Sequence, residues 1–383
     1  MKSLTRLGCA AASAIAVVAA VAGASAPASA ATAHEDSVSG ASHAVFVQTD
    51  NPAGNQVVAY HRNGDGTLSK VAAYSTGGLG GVLTGSVTDH LASQGSLTYD
   101  AGHGLLYAVN AGSDTVSVFA ANGDRLALRQ VAGSRGDFPV SVAVHGDLVY
   151  VLNALNGGTV QGYRVILGHL VPIPGSKRAL GLDPSATPQF TNTPGQVEFS
   201  PDGSQLIVTT KANGNDIDVF AVKVTGRLSA SPVVNPEPGT VPFAIAFGPG
   251  GHLLIGEAGT NALASFALHS DGTVSLLQEV PNGQAATCWV APARGFFYTS
   301  NTGSATLSGY SSSASGQLTL LGNTATDPGT TDAAASPGGA FLYAQTGANG
   351  IVDEFAVNAD GSLTAIGSVT VAGAAGGEGI AAA

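Results

Sequence analysis

The sequence predicts an all-β chain folded as a seven-bladed β-propeller, four antiparallel strands to a blade, with blade 1 closed by the C-terminal strand. Three observations carry this expectation: a sevenfold repeat, alternating apolar runs separated by glycine-containing turns within each repeat, and no competing helical periodicity. Composition agrees with it. Only 39 of 383 residues are charged, about 10%, whereas 44% are hydrophobic and 53 are glycine. Such a chain has enough apolar surface for a sizeable core and is neither disordered nor collagen-like.

The repeat is anchored by Tyr60, Phe119, Tyr163, Phe220, Phe266, Tyr310 and Phe355, each ending an alternating run such as Thr115-Val116-Ser117-Val118-Phe119. After each comes a glycine and then an aliphatic residue, as in Gly66/Leu68, Gly272/Val274 and Gly361/Leu363. Asp-Gly and Asn-Gly steps at such places mark tight hairpins, because these residues tolerate positive φ. About twelve residues before the aromatic lies another strand, for example Leu105 to Val109 or Leu148 to Leu152, preceded by a fourth short strand such as Val197-Glu198-Phe199. The anchors are spaced 59, 44, 57, 46, 44 and 45 residues apart, so a period near 45 is interrupted by two insertions, Thr76 to Gly95 and Ser176 to Thr193. The first unit lacks its innermost strand, while Glu378-Gly379-Ile380-Ala381-Ala382 resembles the inner strand Phe243 to Phe247. The C-terminal strand is therefore expected to close blade 1 and remove an open edge.

Ahead of the propeller, residues 1–30 read as an export signal: Lys2 and Arg6 precede an apolar run from Leu7 to Gly23, and Ala28-Ser29-Ala30 supplies small residues for cleavage. A flexible segment, 31–42, would connect it to the domain at 43–383. The expected mature protein is secreted, bears no membrane segment and is sufficient as a monomer. Without the signal it has 12 basic and 25 acidic residues, a net charge of −13, which disfavours nucleic acid and anionic lipid. Cys288 is then its one thiol, excluding an internal disulfide and a cysteine metal cluster. Beside Trp289 it reads as a small buried hydrophobe.

Propeller symmetry puts one equivalent residue of each unit at the channel mouth: Thr49, Asn110, Asn153, Lys211, Glu257, Asn301 and Thr346. Both insertions belong to the same rim, so a small-molecule ligand is expected there. Lys211 and Glu257, the charged members, are the candidate catalytic residues, either as a cation and an acid–base group or as a simple rim salt bridge. Asn110, Asn153 and Asn301 are the candidate substrate-binding residues. Asp332 and Glu378 could offer oxygen to a hard cation, although ordinary solvated acids explain them as well, and neither a metal nor a cofactor is expected. Asp89-His90 in the first insertion could be an orienter and base, or part of a solvated loop; Lys177 and Arg178 could meet an anion or be surface charges. Asn63-Gly64-Asp65-Gly66 reads as a hairpin turn and not a calcium loop.

Ser200-Pro201-Asp202-Gly203, Leu106-Tyr107-Ala108-Val109-Asn110 with Asp114 to Phe119, and Tyr298-Thr299-Ser300-Asn301 resemble blade phrases of the seven-bladed lactonase family, which includes 6-phosphogluconolactonases and carboxymuconate-lactonising enzymes. Gln94-Gly95-Ser96-Leu97 and Cys288-Trp289-Val290 look like an exported bacterial branch. The resemblance covers nearly all of the mature chain and implies lactone hydrolysis, with histidine, arginine and glutamate on the rim. This sequence departs from that pattern: Thr193-Pro194-Gly195-Gln196, Thr210-Lys211-Ala212 and Gly256-Glu257-Ala258 stand in place of the family's rim phrases. The family-based expectation is a lactonase in which Glu257 activates water and Lys211 stabilises negative charge. The rival expectation is a noncatalytic extracellular propeller that binds a sugar, a peptide or a cell-wall component.

Overall fold

The computed structural model describes residues 43–383; the expected signal and linker lie outside the described residues. Seven antiparallel sheets follow one another in chain order, and six of them have four strands. Blade 2, for example, runs Leu97–Asp100, Leu105–Asn110, Thr115–Asn122 and Arg125–Gly133 from the innermost strand outward. In blade 3 the outer strand is interrupted, so that His169–Pro172 and Arg178–Ala179 both pair with Thr159–Ile166. Arg178 therefore belongs to a strand, not to the insertion, and its guanidinium donates to the carbonyls of Gly175, Lys177, Leu228 and Ser229, tying blade 3 to blade 4.

All seven anchor aromatics are buried, none more than 1% exposed. They lie on the third strand of their blades, where alternation turns one face into the gap between blades. A second inter-blade tie recurs: the hydroxyls of Tyr150, Tyr298 and Tyr343 donate to the carbonyls of Gly226, Gly361 and Gly66 in the next blade's hairpin, at 2.7–2.8 Å. Gly66 must be glycine, because its φ is +91° and a Cβ there would come within 2.3 Å of the Phe341 ring. The preceding Asp65 is a turn residue, its carboxylate accepting from the Thr67 amide and hydroxyl, which makes the Asn63–Gly66 segment the expected hairpin.

Ring closure occurs as expected. Ile380–Ala382 pairs with Ala44–Gln48 as the innermost strand of blade 1, in the register Val45↔Ala382, Phe46↔Ala381 and Val47↔Ile380. Residues 44 and 383 exchange two backbone hydrogen bonds, and Gln48 N–H donates to Gly379 at 2.8 Å.

Candidate functional site

The innermost strand of every blade presents unpaired N–H and C=O groups to the channel, and this chain satisfies many of them with side chains. Gln94 is the clearest case. Its amide donates to Val290 O and accepts from Val290 N, both at 2.9 Å, while its own backbone N–H donates to Gly195 O at 3.1 Å. The adjacent Ser93 carbonyl accepts the indole N–H of Trp289 at 2.6 Å, and its hydroxyl donates to Val140 O at 2.9 Å. Residues 93 and 94 thus touch blades 3, 4 and 6. The first insertion, expected as a rim loop, ends as a crossbar inside the channel.

Its outer part meets the second insertion. Thr84 N–H donates to Gln189 Oε1 at 2.9 Å, and Gly85, at φ +88°, lies so close to Pro188 and Phe190 that no Cβ would fit comfortably. Between these loops and blades 4 to 6 is a cavity of about 560 Å³, lined chiefly by Val87, Ala92, Phe190, Val241, Phe243 and Trp289, with Asp89, Lys211 and Cys288 as its ionisable groups. Pockets of this size, mostly apolar with a few converging polar groups, are typical small-molecule sites.

Lys211 begins a four-residue helical turn, Lys211–Gly214, and has φ of +51°. That unusual backbone for a side-chain-bearing residue turns the long side chain towards the channel. It is 1% exposed, and its ammonium donates to Ala92 O at 2.6 Å, Phe190 O at 2.7 Å and Thr193 Oγ1 at 3.1 Å. One side chain therefore pins both insertions to blade 4. Phe243 adds a cation–π contact at 5.3 Å. Burial pulls the Lys211 pKa down to about 8, opposed chiefly by the Asp89 carboxyl group.

Asp89 is buried too, and its Oδ1 accepts from the amides of Leu91 at 3.2 Å and Ala92 at 2.8 Å. Around it are Asp50, Asp332 and Glu378, all buried. Desolvation pushes Asp50 up to about 8 and Asp332 up to about 7. Asp89 and Glu378 are tightly coupled, and burial raises both; Glu378, which also faces Asp50 and Asp332, is raised well above the usual range. The positive charge of Lys211 favours the ionised form of Asp89, whereas Glu378 faces three carboxylates, Asp89, Asp332 and Asp50, that disfavour its own ionisation. The expectation of ordinary solvated acids at Asp332 and Glu378 is overturned by their burial, as is that of a solvated Asp89 loop. No three acids, histidines or cysteines among the described residues are grouped to hold a metal ion.

The other expected site residues sit elsewhere. Glu257 is on the same rim but does not line the cavity; it accepts from Thr260 Oγ1 at 3.0 Å, and burial, with Glu279 and Glu237 nearby, pushes it up to about 8. No Lys211–Glu257 ion pair is formed among the described residues. Asn110, Asn153 and Asn301 are fully buried and bind their own and neighbouring strands. Asn301 donates to Thr306 and Ser308 and accepts from Asn282 and Thr287, while Asn110 joins Asn55, Thr115 and Ser117. Asn110 and Asn301 are clamps at the strand corners; Asn153 is held more loosely, its amide 3.5 Å from Ser134 O and 3.4 Å from Thr159 Oγ1 and its Oδ1 without a partner, and none of the three has surface to offer a substrate. Cys288 lines the cavity with a thiol that burial pushes up to about 12, so it stays protonated, and it is less deeply buried than its apolar surroundings imply. The cavity aromatics Phe190 and Phe243 have no signature in the repeat; a lone acid in an otherwise uncharged insertion was the one sequence signal for Asp89.

Known structures share this architecture. A Lactobacillus plantarum protein is 20% identical, with TM-score 0.69, over 88% of this chain and 98% of that one. A putative 6-phosphogluconolactonase from Bacteroides fragilis is 17% identical, with TM-score 0.66, over 88% and 96%, and a periplasmic gluconolactonase from Pseudomonas aeruginosa is 20% identical, also at 0.66, over 86% and 96%. At such identities the likeness is one of fold. No curated protein sequence matches the chain. Residues 84–376 match the family described as lactonase, 7-bladed beta-propeller, and over that span, most of its length, this chain belongs to the seven-bladed β-propeller lactonase family.

Proposed function

We propose that this chain is an exported enzyme that hydrolyses a small lactone in the cavity between its two insertions, with Asp89 as general base. The observation that carries the proposal is the position of Asp89: a buried carboxyl group, held by two backbone amides, on the wall of a largely apolar cavity that opens to solvent at Val87. A carboxylate whose pKa is raised by such surroundings is a stronger base than one in water. Asp89 takes a proton from water as the water oxygen bonds to the lactone carbonyl carbon. The ring C–O bond then breaks, and the proton passes from Asp89 to the departing alkoxide, giving a hydroxy acid. The Thr88 hydroxyl and the positive field of Lys211 are the nearby groups that favour the developing oxyanion. In this proposal the acid–base role expected of Glu257 passes to Asp89. Export is supported by the pattern of residues 1–30, and family membership supports the reaction class.

A second reading, a noncatalytic binding propeller, is favoured by the full commitment of the Lys211 donors to protein oxygens. A lactone panel followed by pH-stat, using purified residues 31–383 with and without chelator, distinguishes the two. The enzyme reading predicts hydrolysis that is insensitive to chelator and falls at least about 100-fold in Asp89→Asn. No turnover on any lactone would leave only binding.

A further inference from the structure

The cavity's chemistry constrains what enters it. Building on the reading of this cavity as the reaction site, we infer that its substrate is an uncharged lactone bearing an alkyl or aryl substituent, and not a phosphorylated or polyhydroxylated sugar lactone. A phosphate needs a cation or a cluster of donors. Lys211 is the one cation on the cavity wall among the described residues, and all three of its N–H groups already serve Ala92, Phe190 and Thr193. Asp89 beside it would repel an anion.

Sugar hydroxyls fare little better. Of the four hydroxyl side chains on the wall, Ser86, Thr191 and Thr302 each donate to a backbone carbonyl, of Asp89, Pro188 and Thr330 respectively, which leaves Thr88, the group proposed for the oxyanion. A polyol entering here would exchange its water for few new donors, at a net loss. An apolar substituent instead meets Phe190, Phe243 and Trp289. At the rim Val87 is 84% exposed, an aliphatic side chain left in water at the edge of an apolar site. Contact with a ligand substituent would cover it.

Trp289 is the only tryptophan in the sequence and lies on the cavity wall, so its fluorescence reports occupancy directly. The test titrates the mature protein with γ-lactones of increasing alkyl length, with glucono-δ-lactone and with 6-phosphoglucono-δ-lactone, while hydrolysis is followed separately by pH-stat. The expected result is saturable binding of the alkyl lactones, tightening about threefold to fourfold per methylene until the cavity is filled, with both sugar lactones at least about 100-fold weaker. Val87→Asp, a change at an exposed position, should weaken the longest alkyl lactone about tenfold and leave the melting temperature unchanged. Equal or tighter binding of 6-phosphoglucono-δ-lactone, or no fluorescence response to any alkyl lactone, would overturn the inference. Alkyl-lactone binding without turnover would support the ligand class and refute the hydrolytic reading, so the two fail separately.

Discussion

The ammonium of Lys211 in blade 4 lies 2.6 Å from the carbonyl oxygen of Ala92, in a loop 119 residues earlier in the chain. Together with its bonds to Phe190 and Thr193, this contact makes the lysine a fastener for the cavity roof. Hydrogen bonds from a charged donor contribute about 1.5–3 kcal/mol each. Lys211→Met keeps the aliphatic stem and removes all three. Its first effect should be local: limited proteolysis within residues 84–92 and 183–193 should accelerate about tenfold or more while the blades stay resistant. Cleavage rates in both loops equal to wild type would show that the lysine fastens nothing.

Stability should depend on pH in an uncommon direction. Burial lifts Asp50 and Glu257 to about 8 and Asp332 and Glu198 to about 7, so the folded chain retains protons that the unfolded chain has lost by mildly acidic pH. Stability from these groups is fully present below the ordinary carboxylate range and disappears as pH rises through 7 to 8. Lys211, pulled down to about 8, opposes folding at low pH and ceases to do so only between about 8 and its ordinary value of 10.5. Thermal unfolding should therefore occur about 5 °C higher at pH 5 than at pH 8, and Asp50→Asn with Asp332→Asn should flatten the difference. A melting temperature that rises from pH 5 to pH 8 would contradict these burial effects.

Deletion of residues 378–383 removes the inner strand of blade 1, three backbone hydrogen bonds to residues 44 and 48, and the buried Ile380. About 1 kcal/mol for each of these bonds and roughly 2 kcal/mol for the isoleucine give at least about 5 kcal/mol, or a lowering of Tm of at least roughly 7 °C for a fold of this size, before the bonds of Glu378 to Asp50 and Ser93 are counted. Calorimetry of the truncated chain measures it, and an unchanged Tm would mean that the ring does not depend on this closure.

Asn301→Ala separates a structural from a ligand-binding role. The substitution removes the oxygen that accepts from Asn282 and Thr287 and the amide that donates to Ser308, leaving the first two only each other to donate to and Ser308 only Asn323, a loss of about 2–3 kcal/mol by denaturant unfolding. KM for any lactone that is turned over should remain within about twofold of wild type. A large rise in KM with little loss of stability would restore the substrate-binding role.

The architecture was legible in the sequence because a repeat states the same physical requirement seven times: an alternating strand, an aromatic between blades and a turn that tolerates positive φ. Blade closure was legible for the same reason, since the Ile380 strand supplies the one missing from the first unit. The site was much less so. Symmetry located Lys211 and Glu257 on one rim but could not give side-chain directions, and the φ of +51° at Lys211 sends its amine into the channel while Glu257 turns to Thr260. The asparagines carry the ring's symmetry because they fasten strand corners, so their recurrence reflects structure. The cavity is built where the repeat is broken, by two insertions with no counterpart in other blades, and nothing periodic foretells that Gln94 crosses the channel to Val290.

The most direct test of the cavity as the functional site is to fill it from a residue with no chemical role. Ala258 lines the wall beside Val241, and Ala258→Trp occupies the space a substituent would use. Lactone hydrolysis, measured by pH-stat alongside the melting temperature, should fall at least about 100-fold while Tm stays within about 3 °C of wild type. Full activity in a folded Ala258→Trp protein would place the chemistry elsewhere on the propeller.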